Sequence, residues 1–318
     1  MGQITDFGQT ASGQQVHKIA LAAHGLSVGI LTLGAVLQSV RLVGVPHDLT
    51  LGSDDVADYQ GPLRFHGSII APVANRIGGA QAVIADRLRQ FEANDKGGSC
   101  LHSGSAGTHL QVWRLTDTTA DSATLRIDLA DGAGGFPGNR SLTARFSLCA
   151  PATLRLELGA QTDAPTIFNA TSHSYWNLDG TTRWAGHTLQ VLADHWLPTD
   201  AHARPTGEVA LCDGSPLDFR QPIRITPENP ALDHCFCLSA QRRALQKALV
   251  LTGASGVSMT VATTEPGVQI YDNRGPYAGL AIETQGWPDA PSHPHFPAIT
   301  LQPGVSLHQI TEWRFEHE

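Results

Sequence analysis

Short runs of alternating polar and apolar residues recur along the whole chain. In the first half they are ATLRIDLA (123–130), TARFSLCA (143–150) and ATLRLELGA (152–160). In the second half they are HTLQVLAD (187–194), GVSMTVATT (256–264) and GVQIYD (267–272). Alternation with a period of two places successive side chains on opposite faces of a strand. These runs therefore predict β-strands, separated by turns that the 32 glycines and 19 prolines supply.

A helical period is convincing only in SAQRRALQKALVL (residues 239–251), where we expect a short helix. For the rest of the chain the pattern predicts an all-β sandwich with large sheets. No repeat of fixed period, low-complexity linker or shift in composition divides the sequence. We therefore expect residues 1–318 to form a single domain.

The most apolar stretch, residues 19–40, is long enough to cross a bilayer. It carries polar side chains such as His24 and Gln38, and we interpret it as successive strands broken at Gly25 and Gly34. The first ten residues lack the basic start and apolar centre of a signal peptide. Five cysteines, an odd number, fit a reducing compartment better than a disulfide framework. We expect a cytoplasmic protein without a membrane segment.

Charge and glycine spacing exclude several classes of function. The chain has 21 Lys and Arg against 29 Asp and Glu, a net charge of −8, so we expect no nucleic acid partner. Lysine occurs only at Lys18, Lys96 and Lys247, which argues against Schiff-base chemistry. The segment DGAGGFPG misses the spacing and the βαβ context of a dinucleotide loop, so no cofactor is expected.

Two segments combine residue types that bind metals. DHCFC (residues 233–237) has no second pair of ligands at zinc-finger spacing, and alternating buried side chains of a strand explain it better. SHPHFP places His293 and His295 on one side of an extended segment, where two imidazoles could chelate. No third protein ligand can be named, so no metal site is predicted.

Two titratable residues lie in unusually apolar settings. In TSHSYWNLDG, His173 stands beside Tyr175 and Trp176, where a histidine is either a hydrogen-bonded core residue or a catalytic group. Glu283 follows the apolar run GLAI, and an ionised carboxylate is costly to bury there without partners. A proline-rich loop of the kind that rims a pocket comes next.

A further set of polar residues lies in APVANRIGGAQ and CLHSG. Asn75 and Arg76 supply fixed donors in an otherwise apolar region, and His102 adds another polar group. Several hydrogen-bonding groups together with aromatic faces indicate a site for a neutral polyol.

These segments carry a resemblance to a known family. The chain resembles the aldose 1-epimerases, the galactose mutarotase family, over nearly its whole length. The matching pieces occur in family order: VANRIGG, CLHSG, GFPG, TSHSYWNLDG, LPTDAHARPTGEVALCDGSPLDFR, LDHCFCL, TTEPGVQIYDN, AIETQGWPDAPSHPHFP and LQPG. No single piece is decisive, but so many in one order are highly specific.

The resemblance implies a large antiparallel β-sandwich that holds a sugar in an open cleft, and an isomerase without a cofactor. It implies that Glu283 is the general base and His173 the general acid. The residues that it implies for binding sugar hydroxyls are Asn75, Arg76, His102, Asp233 and Gln269. The partner would be a small monosaccharide, and the protein a monomer or a homodimer.

The chain departs from the family pattern around the pocket rim. Ser103 replaces a glycine of the usual LHGG, and GTHLQVW lacks a Gly-Phe pair before its tryptophan. Ser172 stands where asparagine is common, and Trp176 where phenylalanine is common. The acid and the base are retained, whereas the sugar preference is left open.

Anomer interconversion requires the C1 hydroxyl to lose a proton while the ring oxygen gains one, so that the ring opens. Rotation about the C1 to C2 bond and reclosure then invert the centre. We expect Glu283 to be ionised and His173 protonated at rest, because a neighbouring carboxylate raises the pKa of a histidine.

Three alternatives stay open. A hexose-6-phosphate epimerase of the same fold would need cations near the phosphate, and the candidates are Arg140, Arg183 and Arg274. A non-catalytic sugar-binding regulatory protein is disfavoured by the retention of both reactive residues. Glycoside hydrolysis would need two carboxylates, for which Asp233 and Glu283 are available.

Overall fold

The computed structural model describes residues 2–273, 275–276 and 278–317. Arg274, one of the arginines considered for a phosphate, lies outside the described residues. The strands, numbered along the chain, are β1 Gln3–Gln9, β2 Gln15–Ala23, β3 Leu26–Leu31, β4 Leu37–Leu42, β5 Ile69–Ile70, β6 Arg76–Ile77, β7 Gln81–Ile84, β8 Arg87–Gln90, β9 Cys100–Leu101, β10 Arg114–Thr118, β11 Ser122–Leu129, β12 Arg140–Cys149, β13 Thr153–Thr162, β14 Thr166–Ile167, β15 Thr171–Ser172, β16 Tyr175–Trp176, β17 Thr188–Val191, β18 His195–Trp196, β19 Ala210–Leu211, β20 Ile223–Arg224, β21 Asp233–Cys237, β22 Gln246–Thr252, β23 Val257–Thr263, β24 Gly267–Tyr271, β25 Leu280–Gln285, β26 Thr300–Leu301 and β27 Leu307–His317. The helices in these ranges are short 3₁₀ turns: Asp58–Gln60, Gly78–Ala80, Gly104–Ala106, Thr108–Leu110, Ala133–Gly135 and Ala290–Ser292.

The alternating runs form strands where the sequence predicts them. Strands β11, β12 and β13 are neighbours in one sheet, and buried residues alternate with more exposed ones along most of their length. The apolar stretch over residues 19–40 is confirmed as successive strands that run from β2 into β4, with turns between them. Gly25 and Gly34 lie in these turns with φ of 83° and 63°, a region that favours glycine.

The prediction of a helix over residues 239–251 is wrong. The second half of this segment is β22, which pairs with β17 on one side and with β23 on the other. Ala248, Leu249 and Leu251 are fully buried there. Backbone pairing on both edges and burial of these side chains stabilise the extended chain, and together they outweigh a weak local preference for helix.

Three sheets form the body of the fold, and the strand pairs in them are antiparallel. The largest has nine strands in the order β10-β11-β12-β13-β27-β23-β22-β17-β20. A second has six, β16-β25-β24-β21-β18-β19, and a third has four, β1 to β4. One buried cluster contains Phe146 and Trp313 of the first sheet, Phe236 and Val268 of the second, and Leu37 of the third. The predicted large antiparallel β-sandwich is therefore confirmed.

No helix among the described residues is long and apolar enough to span a membrane.

Strand β16 directs its two side chains to opposite sides, as the alternation of a strand requires. Trp176 is fully buried, and its ring centroid lies 5.7 Å from the rings of both Trp313 and Phe315. Tyr175 faces the other way, into a cavity beside the six-stranded sheet. One residue of this pair therefore supports the core, and the other contributes to the cavity wall.

We expect Trp176→Ala to lower the free energy of unfolding by about 3–5 kcal/mol, because it leaves a void beside Trp313 and Phe315. Guanidinium unfolding followed by circular dichroism measures the change. Trp176→Phe is the control, since it keeps a ring and removes an indole N–H that has no hydrogen-bond partner in the described part of the chain. We expect a smaller loss for it, and equal midpoints for Trp176→Ala and the wild type would contradict this view of the core.

Candidate active site

A cavity of about 350 Å³ lies beside the six-stranded sheet. This volume is at the lower end of the range for small-molecule sites. Most of the residues implied by the family resemblance line it: Asn75, Arg76, His102, His173, Asp233 and Glu283. The exception is Gln269, which is buried behind Asp233 and donates a hydrogen bond of 2.7 Å from Nε2 to its carboxylate.

The register of the six-stranded sheet brings distant segments together at this cavity. Gln269 of β24 lies opposite both Cys235 of β21 and Glu283 of β25. Asp233, two residues before Cys235, lies opposite Tyr271. Since side chains two positions apart share a face of a strand, the sheet directs all of these side chains to the same side.

The backbone on both sides of His173 is tied to the segment before β5. The His173 N–H donates to the carbonyl of Ser68 at 2.9 Å, and the Gly67 N–H donates to the carbonyl of His173 at 3.0 Å. The neighbouring hydroxyls of Ser172 and Ser174 lie 3.0 Å apart. His173 is therefore held between two short strands, and its ring points into the cavity.

His173 and Glu283 are in contact. Nε2 of His173 lies 3.5 Å from Oε1 of Glu283, and the residues are only 4% and 2% exposed. Nδ1 of His173 and Oε2 of Glu283 have no hydrogen-bond partner in the described ranges. The pair is thus both buried and incompletely hydrogen-bonded, which is unusual for polar groups of the protein interior.

Burial dominates the titration of this pair. It lowers the pKa of His173 to about 3 and raises the pKa of Glu283 well above its usual range. Removal from water disfavours the charged form of each group. The expectation that the carboxylate raises the pKa of His173 is therefore wrong, because the loss of hydration lowers this pKa.

The ring of His102 has a defined tautomer. Its Nδ1 accepts a hydrogen bond of 3.1 Å from the backbone N–H of Asn75, and the backbone N–H of His102 donates to the Asn75 carbonyl at 2.9 Å. Burial lowers the pKa of His102 well below its usual range, so the ring is neutral. A neutral ring that accepts at Nδ1 carries its hydrogen on Nε2. The cavity therefore gains a fixed N–H donor at this position.

Backbone strain accompanies this contact. Asn75 and His102 have φ of 59° and 51°, and Ser103 follows with φ of 63°. Residues other than glycine rarely adopt this left-handed region, and they keep it only where the surrounding structure imposes it. Two hydrogen bonds hold Ser103 in this conformation: its hydroxyl accepts from the Val73 N–H at 2.8 Å and donates to the Val73 carbonyl at 3.0 Å. The serine that departs from the family pattern is thus a structural residue here.

Arg76 and Asp233 are the other charged groups at the wall. Arg76 donates from Nε to Asp95 at 2.8 Å, and both side chains are largely buried. Burial raises the pKa of Asp233, opposed by Arg76 and by the hydrogen bond from Gln269. Fixed donors and acceptors thus surround the contact between His173 and Glu283.

The sequence missed several residues that line the cavity. The segment GPLRFHG brings in Arg64, Phe65 and His66, and the sheet adds Tyr271. The Phe65 ring packs against His102 at 4.8 Å and stacks on His173 at 5.8 Å. The signal available in the sequence was the occurrence of charged and aromatic residues between the two glycines of GPLRFHG, which is typical of a loop at a binding site. For the aromatic pair that follows His173, the structure assigns Tyr175 to the cavity.

Arg140 and Arg183, two of the arginines that could bind the phosphate of a hexose 6-phosphate, lie outside the cavity. Arg140 is 2% exposed and donates to the carbonyls of Gly138 and Ala130, and neither it nor Arg183 lines the cavity. The two histidines of SHPHFP already have hydrogen-bond partners in the protein. Nε2 of His293 and Nε2 of His295 each donate to a backbone carbonyl, at 3.2 and 2.7 Å. Within the described ranges, no cluster of at least three His, Cys, Asp or Glu residues is placed to hold a metal ion.

Comparisons with known proteins agree with this architecture. A family model described as aldose 1-epimerase matches residues 17–314. Galactose mutarotase of Mus musculus is 30% identical, over 98% of this chain and 97% of its own length. Aldose 1-epimerase of Escherichia coli (strain K12) is also 30% identical, over 92% of both chains.

Solved structures give the same result. Galactose 1-epimerase from Lactobacillus acidophilus has a TM-score of 0.85 at 28% identity, covering 100% of this chain and 99% of that one. An aldose epimerase homologue from C. elegans has a TM-score of 0.89 at 25% identity, covering 94% and 98%. The chain therefore belongs to the aldose 1-epimerase family and is an isomerase.

Proposed function

We propose that this protein interconverts the α and β anomers of a free aldose, with Glu283 as general base and His173 as general acid. The observation that carries the proposal is the contact of 3.5 Å between these two side chains in a cavity of about 350 Å³. The names of its relatives, galactose mutarotase and aldose 1-epimerase, support the same activity.

The reaction needs only proton transfers. Glu283 takes the proton of the C1 hydroxyl, the electron pair left on that oxygen forms the carbonyl, and the bond from C1 to the ring oxygen breaks. His173 gives its proton to the ring oxygen, which becomes the hydroxyl of the open chain. After rotation about the C1 to C2 bond, His173 takes that proton back as the ring closes, and Glu283 returns the other to the new C1 hydroxyl. Each group acts once as acid and once as base.

The spacing of the pair suits a hemiacetal. Its two reacting oxygens are bonded to the same carbon, so the groups that serve them must be close neighbours. His173 and Glu283 meet this requirement, and both line the cavity. A pair of carboxylates, as in glycoside hydrolysis, receives less support, because the partner in contact with Glu283 is an imidazole.

The active form carries one proton on the pair. Burial favours this proton on Glu283, which leaves His173 neutral. Transfer of the proton to His173 produces the ionised base and the protonated acid without any exchange with solvent. Hydrogen bonds from a bound sugar to the carboxylate favour the transfer, since they replace hydration that burial removed.

The surrounding residues bind the sugar hydroxyls in this proposal. Arg76 and the Nε2–H of His102 donate, Asp233 accepts, and the side chain of Asn75 supplies a further polar group. Gln269 has a different role from the one that the resemblance implies: its hydrogen bond to Asp233 positions that carboxylate. We also propose that the whole chain works as one domain, because these residues come from distant parts of it.

We expect Glu283→Gln to lower kcat for mutarotation by about 10²–10⁴-fold, because the amide cannot accept the C1 proton. Polarimetry of freshly dissolved α-glucose and α-galactose measures the rate after subtraction of the spontaneous reaction. Sugar binding should stay measurable by calorimetry. Glu265→Gln is the matched control, since Glu265 is fully buried but pairs with Arg242 away from the cavity. A wild-type rate in Glu283→Gln would remove the base from the mechanism.

We expect His173→Asn to lower kcat by a similar factor of about 10²–10⁴, because the amide cannot donate a proton to the ring oxygen as an imidazolium does. His109→Asn is the control: His109 is a buried imidazole that packs on the same Phe65 ring, at 5.0 Å, but does not line the cavity. The same polarimetric assay applies to both. An unchanged kcat in His173→Asn would show that the acid is another residue.

We expect kcat/KM to fall as the pH rises through the raised pKa of Glu283, because the pair then loses its only proton. On the acid side activity is lost when a second proton binds His173, whose pKa is lowered to about 3. The profile should therefore show no separate acid loss near pH 6.5 or pH 4.5, the ordinary values of the two groups. Initial rates across this range test it, and an acid limb centred on either value would contradict the one-proton pair.

A further inference from the structure

His66 lines the cavity but has no role in the proposed reaction. It lies in the loop of residues 61–67, which we call the rim loop. The loop is fixed at its end by Gly67, whose φ is 71° and where a Cβ would lie 2.3 Å from the carbonyl oxygen of Leu37. The N–H of His66 donates to the Leu63 carbonyl at 2.8 Å. The backbone that carries this side chain is therefore well defined.

The His66 ring is also fixed. It stacks on Tyr175 with ring centroids 3.9 Å apart and an interplanar angle of 16°. Tyr175 in turn stacks on His173, with centroids 5.1 Å apart and an angle of 27°. Two imidazoles thus share one phenol ring, and the position of His66 relative to His173 is set by this stack. A ring held in this way binds a ligand at little cost in conformational entropy.

The nitrogens of His66 are unoccupied. Neither ring nitrogen makes a hydrogen bond to the described part of the chain, and neither is sealed from the cavity. Burial lowers the pKa of His66 to about 4, so the ring is neutral at ordinary pH. A neutral imidazole offers one N–H donor and one acceptor, and a hydroxyl group matches either.

We propose that His66 is a sugar-binding residue that hydrogen-bonds a hydroxyl of the bound aldose other than the one at C1. This inference rests on the proposed function for the identity of the ligand, a neutral sugar. The C1 hydroxyl and the ring oxygen are assigned to Glu283 and His173, which contact each other, whereas the ring of His66 stacks on Tyr175. His66 therefore determines affinity and sugar preference.

The substitution His66→Phe tests the contact. Phenylalanine keeps a planar ring to stack on Tyr175 and removes both hydrogen-bonding nitrogens. We expect KM to rise and the affinity for 1,5-anhydrogalactitol or 1,5-anhydroglucitol to fall by about 3- to 10-fold, as for the loss of one neutral hydrogen bond. kcat should change less than threefold. His66→Gln, which keeps a donor and an acceptor, should restore most of the affinity.

The anhydro sugars lack the C1 hydroxyl and cannot mutarotate, so their binding by calorimetry is measured apart from turnover. A wild type that binds the anhydro sugars but does not accelerate the mutarotation of glucose or galactose would overturn the proposed function and leave the inference about His66 standing. Monodeoxy derivatives of the anhydro sugars identify the hydroxyl. For one of them, removal of the hydroxyl should weaken binding to the wild type as much as His66→Phe weakens binding of the parent sugar. The same derivative should bind His66→Phe no more weakly than the parent sugar does.

Three results would overturn the inference. The first is unchanged binding of both anhydro sugars by His66→Phe, when circular dichroism shows that the variant is folded. The second is additive loss for every deoxy derivative, which would mean that the imidazole contacts none of these hydroxyls. The third is a collapse of kcat at unchanged KM, which would make His66 part of the proton transfer instead of the binding of sugar.

Discussion

The burial of a carboxyl group against an imidazole is the constraint on which this site depends. His173 and Glu283 each keep one polar atom without a partner in the described chain, and water alone would satisfy them better. The free energy that this arrangement costs must be offset elsewhere. The shared core of three sheets does so, with residues such as Phe146 and Phe236 completely removed from solvent. In the proposed function a bound sugar supplies the missing hydrogen bonds, which would make the pair a functional site.

The sequence predicts the strands well and their assembly only through the family resemblance. Alternation in β11, β12 and β13 is a local property, so residue types reveal it. The error at residues 239–251 has a physical cause. Helical spacing is also local, but the state of β22 is decided by β17 and β23, which are far away in the chain. No local pattern contains that information.

The candidate site divides along the same line. Residues in recognisable segments, such as Glu283 and His102, could be named from the sequence, and the structure brings them together. His66 could not, because its stack with Tyr175 exists only in the folded chain. The lowered pKa of His173 could not be predicted from the sequence for a related reason. A nearby charge can be inferred from a motif, whereas the degree of desolvation depends on everything packed around the ring.

The opposite orientation of the two side chains of β16 limits which mutations this segment can accept. Tyr175 and Trp176 face opposite sides only because each occupies its own position in a strand of period two. Insertion or deletion of one amino acid just before them would exchange the faces, exposing an indole to the ligand and forcing a phenol into the apolar interior. During evolution this segment can therefore accept new side chains far more readily than a new length.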